Sequence, residues 1–209
     1  MSAGEFMTIL DKLFFDRPTL TVARDLLGKK LLRREGPTVL SGVIVETEAY
    51  CGRQDTACHA HRGMTRRNAV MFGPPGHAYV YFTYGMHYML NIVTEAEGRP
   101  CAVLIRAIRP FEGLAEMLAR RAGRGKNLTD GPAKLCQALG IDKSFNGWNL
   151  AAGEKLWVEK YRDIPARDVC RTPRIGIGYA DKKDREALWR FYVKGSDGRG
   201  KQKTCPCSV

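Results

Sequence analysis

Apolar and polar residues alternate in short runs through the first half of this chain, each bounded by glycine, proline or charge. Period-two alternation over four to eight residues is the signature of a half-buried strand. Lys29–Arg34 and Thr38–Ala49 read as a short and a long strand joined by the turn Glu35-Gly36-Pro37. Ala78–Thr83 and His87–Thr94 alternate about Tyr84-Gly85-Met86 and predict a hairpin. Cys101–Ile108 predicts another strand, ended by Pro110; Trp157–Glu159, Arg174–Tyr179 and Arg190–Val193 predict three short late ones. Helical spacing is confined to three places. Pro18 or Thr19 opens a helix with Leu20, Ala23, Leu26 and Leu27 on its apolar face and Gly28 as its stop. Phe111–Ala122 places Leu114, Met117 and Leu118 on one face, and Asp130-Gly131-Pro132 starts a helix that runs to Leu139 and ends at Gly140.

Many strands with few helices between them predict an α+β fold: a single domain with a curved, mostly antiparallel β-sheet and peripheral helices. The domain is expected over residues 12–196, between a flexible N-terminal segment (1–11) and a flexible basic tail (197–209) that is rich in glycine. Residues 51–78 carry Gly, Pro, Arg and His without periodicity and read as a long loop system, where function often resides.

Charge then narrows the class. The formal net charge is +12, from 34 basic and 22 acidic residues, and a domain this basic is expected to meet a polyanion, most often nucleic acid. No apolar run approaches the ~20 residues of a membrane span, and the N-terminus has no secretory pattern. Seven cysteines at irregular spacing argue for reduced thiols. The expectation is a cytoplasmic protein.

Candidate chemistry sits on the strands. In Ile44–Tyr50, alternation puts Ile44, Glu46, Glu48 and Tyr50 on one face and Val43, Val45, Thr47 and Ala49 on the other, which should pack on the core. A carboxylate beside an aromatic ring, ~7 Å apart along a strand, suits a general base next to a stacking platform. Tyr79 and Tyr81 share a face of the hairpin, and Tyr84 occupies its tip. An exposed ring at a hairpin tip on a basic protein can wedge into a base stack and hold the gap left by a flipped nucleotide.

The blocks Ile44–Tyr50, Ala57-Cys58-His59, Arg67-Asn68, Met71-Phe72, Tyr79-Val80-Tyr81, Tyr84-Gly85-Met86, Asn91-Ile92, Leu104–Ala107, Gly131–Leu139 and Arg190–Val193 occur in an order that resembles the alkyladenine (3-methyladenine) DNA glycosylase family. The likeness covers about residues 12–196. It implies a monofunctional glycosylase of base excision repair, with a hairpin that inserts into double-stranded DNA containing damaged purines. By resemblance, Glu48 is the general base for the attacking water, and Arg106 holds that water and the carboxylate, or a nearby phosphate. Tyr50, Tyr81 and His59 bind the flipped base, Asn91 screens against guanine's exocyclic amine, and Tyr84 and Met86 intercalate. Substrates implied are 3-methyladenine, 7-methylguanine, hypoxanthine and ethenoadenine. No metal or other cofactor is implied beyond one water, and the implied species is a bacterial-type, nucleoid-associated monomer. Arg62, Arg66, Arg67 and Lys134 are the expected contacts to the DNA backbone.

Two other readings compete. Cys51, Cys58, His59 and His61 cluster, and Cys205-Pro206-Cys207 lies in the tail; neither has paired Cys-x2-Cys spacing, and the zinc-dependent nucleobase deaminase pattern is absent. A non-catalytic nucleic-acid-binding module fits the charge and the tyrosines, but gains nothing from a carboxylate on its DNA-facing surface.

Overall fold

The computed structural model describes residues 8–196 of the chain. Eight strands form one sheet among these residues: β1 (Lys30–Glu35), β2 (Thr38–Cys51), β3 (Ala78–Thr83), β4 (His87–Thr94), β5 (Cys101–Glu112), β6 (Leu156–Glu159), β7 (Val169–Thr172) and β8 (Arg190–Val193). The order is β3-β4-β5-β2-β1-β6, and β8 pairs with both β2 and β7. Every pairing is antiparallel, and the sheet is open. The α+β architecture expected from the alternation is the one observed.

Helices α1 (Lys12–Phe15), α2 (Thr19–Asp25), α3 (Leu114–Arg120), α4 (Pro132–Leu139) and α5 (Lys182–Glu186) are short and peripheral. The main core lies between the sheet and α2 and α4. It joins Val22, Ala23, Leu26 and Leu135 to Leu31, Ile44, Ile92, Val103 and Ile105 from the strands. Helix α4 follows its sequence signals closely, with Pro132 in the first turn and Gly140 closing the end at φ +64°.

Several boundaries differ from the sequence reading. Strand β5 runs through Pro110 to Glu112: Pro110 pairs with Gly42 beside the unpaired Phe111, a bulge where a residue without N–H is tolerated. Helix α3 begins only after Gly113, at φ +72°, and leaves Leu114 exposed in its first turn while Met117 is buried. On α2, Val22 rather than Leu20 is fully buried. Arg174–Tyr179 is a loop, not a strand. Gly176 takes φ +80°, and the Ile175 amide binds a side chain instead of a neighbouring strand. The preceding strand β7 and the short α5 carry too little periodicity to be seen in sequence.

At the N-terminus, residues 8–10 run against β6 and its end. Ile9 bridges Glu159, Leu10 N–H donates to Val158 O at 2.8 Å, and the apolar Leu10 is buried. The rest of the expected flexible leader (1–7) and the tail (197–209) lie outside the described residues.

Candidate active site

The site is built where β2 pairs with β5. The ladder passes from Ile44–Ile108 to Thr47–Ile105 with one extra residue on each strand, Val45 on β2 and Arg106 on β5. Bulges re-aim side chains, and these two reset the alternation. Ile44 therefore shares the core side with Ala49, while Thr47 Oγ1 donates to Ala23 O on α2 at 2.7 Å. The expected grouping of Ile44 with the two glutamates is corrected accordingly. Glu46, Glu48 and Tyr50 keep a common face, and Arg106 comes to lie against both carboxylates.

Glu48 is completely buried. Its Oε1 accepts the Ile175 N–H at 2.7 Å; its Oε2 accepts the Tyr50 hydroxyl at 3.0 Å and lies 3.2 Å from Arg106 Nη1. Burial pushes its pKa above the ordinary carboxylate value, and Arg106, the Ile175 amide and Tyr50 only partly offset this. Glu46, two residues away, moves in the opposite direction. Its Oε1 accepts from Arg106 Nε at 2.8 Å and from Arg190 Nε at 2.6 Å. Burial again raises its pKa, but the two guanidiniums outweigh burial and hold it below the usual range. Two neighbouring carboxylates pushed apart in this way mark a division of roles.

Above the carboxylates opens a cleft of about 920 Å³. Tyr50, His59, Tyr81, Asn91, Tyr84, Arg106, Arg62 and Arg67 all line it. Glu48 lies beneath, bonded to the lining residues Tyr50 and Arg106. The His59 and Tyr81 rings meet edge to face at 4.6 Å, and Arg67 stands 5.2 Å over the Tyr81 ring. His59 Nδ1 is 2.9 Å from the buried Tyr79 hydroxyl. Surrounding protein and the nearby Arg67 lower the His59 pKa to about 4, although the ring edge stays open to the cleft; the imidazole is therefore neutral at physiological pH. Asn91 is buried and donates to Tyr79 O at 3.1 Å, which fixes the orientation of its amide.

At the β3–β4 tip, Tyr84 is 80% exposed and holds φ +53°, and Met86 is 68% exposed. Met86, Arg66 and Lys134 are not among the cleft-lining residues. Arg66 is exposed on the loop between the lining residues Arg62 and Arg67, whereas Lys134 is paired with Asp130 at 2.8 Å. No lysine lines the cleft among the described residues.

The cysteine–histidine cluster does not converge. His59 turns to Tyr79 and His61 Nδ1 to Arg53 O, and no group of three or more potential metal ligands comes together among the described residues. The Cys58 thiol is buried and its pKa is pushed up to about 11. Cys205 and Cys207 lie outside the described residues.

Several residues that shape the site have no role in the sequence reading. Ile175 acts through its backbone amide, which no side-chain pattern reveals. Asp55 and Arg174 form a buried pair beneath Tyr50. Tyr179, 70% exposed at the rim, donates its hydroxyl to Ala57 O at 2.9 Å. Arg190, the partner of Glu46, lies in a block quoted above for its order, and its basic residue followed by an aromatic pair was the available signal.

Comparison with known proteins converges on one family. The family model described as methylpurine-DNA glycosylase matches residues 13–197. A protein of Methanocella arvoryzae, named "Putative 3-methyladenine DNA glycosylase", is 50% identical over 193 residues, covering 91% of this chain and 94% of its own length. Proteins with the same name from Carboxydothermus hydrogenoformans (48% over 189 residues; 90% and 96% covered) and Chlorobaculum parvum (49% over 185 residues; 88% and 86% covered) are similar over the same span. The match takes in every element that lines the cleft.

Proposed function

The chain belongs to the methylpurine-DNA glycosylase family, and from that premise we propose that it excises damaged purines from double-stranded DNA as a monofunctional glycosylase, acting as a monomer. The observation that carries this reading is Glu48: a fully buried carboxylate below an aromatic cleft, held by an arginine, a backbone amide and a tyrosine hydroxyl. A binding module has no use for such a group, because an ionised carboxylate in the interior costs free energy.

In this reading the damaged nucleotide leaves the stack and its base enters the cleft between Tyr50 and Tyr81, with His59 at its edge. Neutral His59 suits binding of a cationic base, since an imidazolium would repel it. Asn91 disfavours guanine's exocyclic amine. Tyr84 and Met86 fill the vacated gap, and Arg62, Arg66, Arg67 and Lys134 meet the phosphates. A water held by Glu48 and Arg106 attacks C1′. Its oxygen bonds to carbon as the N-glycosidic bond breaks, the bonding pair departs with the base, and the water's proton passes to Glu48. The carboxylate also stabilises the oxocarbenium character that develops in the sugar. A carboxyl with an upward-shifted pKa is the better proton acceptor near neutrality.

Cationic 3-methyladenine and 7-methylguanine leave readily. Hypoxanthine and ethenoadenine need protonation or strong hydrogen bonding as they depart. With no lysine in the cleft lining among the described residues, no Schiff-base lyase step is expected. The residues supply both the base and the electrostatic stabilisation, so activity is expected to persist in a chelator.

Glu48→Gln tests the reading. It should bind a lesion duplex as tightly as the wild type while single-turnover excision falls by at least ~10²–10⁴-fold, the usual worth of positioned proton transfer. Excision at the wild-type rate would contradict the assignment.

A further inference from the structure

Asp55 and Arg174 form an ion pair with no exposure on either side chain, and neither belongs to the reacting groups named above. The pairing is bidentate: Arg174 Nη1 and Nη2 reach the two Asp55 oxygens at 2.6 and 2.8 Å. A buried pair of this kind is weak grounds for stability, because desolvation can cost as much as the attraction returns. Its remaining contacts point to another use. Arg174 Nη1 donates to the carbonyl of Ala49, the residue after Glu48, at 2.9 Å. Its guanidinium stacks between the Tyr50 ring at 4.7 Å and the Trp189 ring at 4.9 Å. Asp55 accepts the N–H groups of Cys51 and Ala57, on the strand end and loop that follow Tyr50. One residue beyond Arg174, the Ile175 amide sits on Glu48. The pair thus joins the 173–180 loop to Glu48-Ala49-Tyr50 from below, while Tyr179 ties the far end of the same loop to Ala57.

We propose that Asp55 and Arg174 are positioning residues for excision: they hold the Ile175 amide on the Glu48 carboxylate and the Tyr50 ring at the angle that faces the flipped base. This rests on the reading of Glu48 as the base. The pair touches neither water nor sugar; it acts through the amide it delivers. That amide favours the ionised carboxylate, so displacing it raises the pH at which Glu48 becomes competent.

The test is the pH profile of single-turnover excision by the full chain. Arg174→Lys keeps the charge but loses the fork, and Ile175→Pro removes the amide donor together with the isoleucine side chain that lines the cleft. Both are compared with the wild type, with melting temperature and binding to a duplex carrying a tetrahydrofuran abasic analogue as companion readouts. The acid limb of both variants should move up by about one pH unit, the effect of losing one hydrogen bond to a charged acceptor. Excision below the limb then falls about tenfold and is restored by raising the pH, while analogue binding changes less than threefold. A lowered melting temperature with an unmoved limb would overturn the proposal and leave the pair a structural staple. Should Arg174→Lys fail to fold, the limb of Asp55→Asn, which breaks the same pair from its other side, decides in its place. Glu48→Gln separates the two readings. If it still excises, the base assignment itself fails; if it is inactive and neither limb moves, only the positioning role fails.

Discussion

Glu46 and Glu48 are two residues apart on one strand and touch the same arginine, yet their environments drive them in opposite directions. Glu46 has two guanidiniums on one oxygen and is the structural member. Its folded pKa lies below the unfolded value of 4.5, so its stabilisation is fully present above that value and is lost as the pH falls through the folded pKa. Glu46→Gln should therefore cost about 3–5 kcal/mol at neutral pH, as breaking a buried pair does, because Arg106 and Arg190 lose a shared partner. Denaturant titration should show the gap narrowing as the pH drops below 4.5. Glu48 has the reverse sign. Its folded pKa is raised, so the ionised form is a cost to folding at neutral pH, and Glu48→Gln should melt no lower than the wild type. A large loss of stability in Glu48→Gln with none in Glu46→Gln would exchange the two roles.

At the scale of elements, the β3–β4 hairpin shows the same conflict between stability and use. Tyr84 is a bulky residue held in the left-handed region at an exposed tip, where glycine would be relaxed. Tyr84→Gly should raise stability by up to about 1 kcal/mol, read from thermal unfolding, while excision from duplex DNA falls and that from a single-stranded oligonucleotide changes little. Equal losses on both substrates would remove the wedge role. This hairpin was legible in the sequence because its alternation is clean and its turn carries glycine. So was α4, bracketed by Pro132 and Gly140. The arrangement of Glu46, Glu48 and Arg106 was only half legible. The residues stood out, but the bulges at Val45 and Arg106 that bring them together come from the pairing of two strands and leave no mark on either one. The 173–180 loop was misread as a strand because its apolar residues alternate with glycine. Its contribution to the site lies in a backbone amide and in a buried arginine 119 positions from its aspartate.

Across the whole molecule, a net charge of +12 faces a polyanion, so affinity for duplex DNA should fall steeply with salt. The slope of log K against log salt reports the phosphates contacted. Arg62→Ala and Arg67→Ala, at the cleft, should each reduce it by about one. Lys134→Ala should reduce it less, since Asp130 already neutralises that ammonium. Equal changes for all three would mean that the ion pair opens on DNA. In the proposed reaction this chain hydrolyses a damaged purine from an otherwise intact strand with Glu48 as the base. The most direct measurement uses end-labelled duplexes, one with hypoxanthine opposite thymine and one methylated to carry 3-methyladenine, incubated in chelator with the wild type or Glu48→Gln and split before and after hot alkali. Strand cleavage that needs alkali, and that only the wild type produces, is the expected result. Cleavage without alkali, cleavage by Glu48→Gln, or intact strands under both treatments despite binding would contradict it.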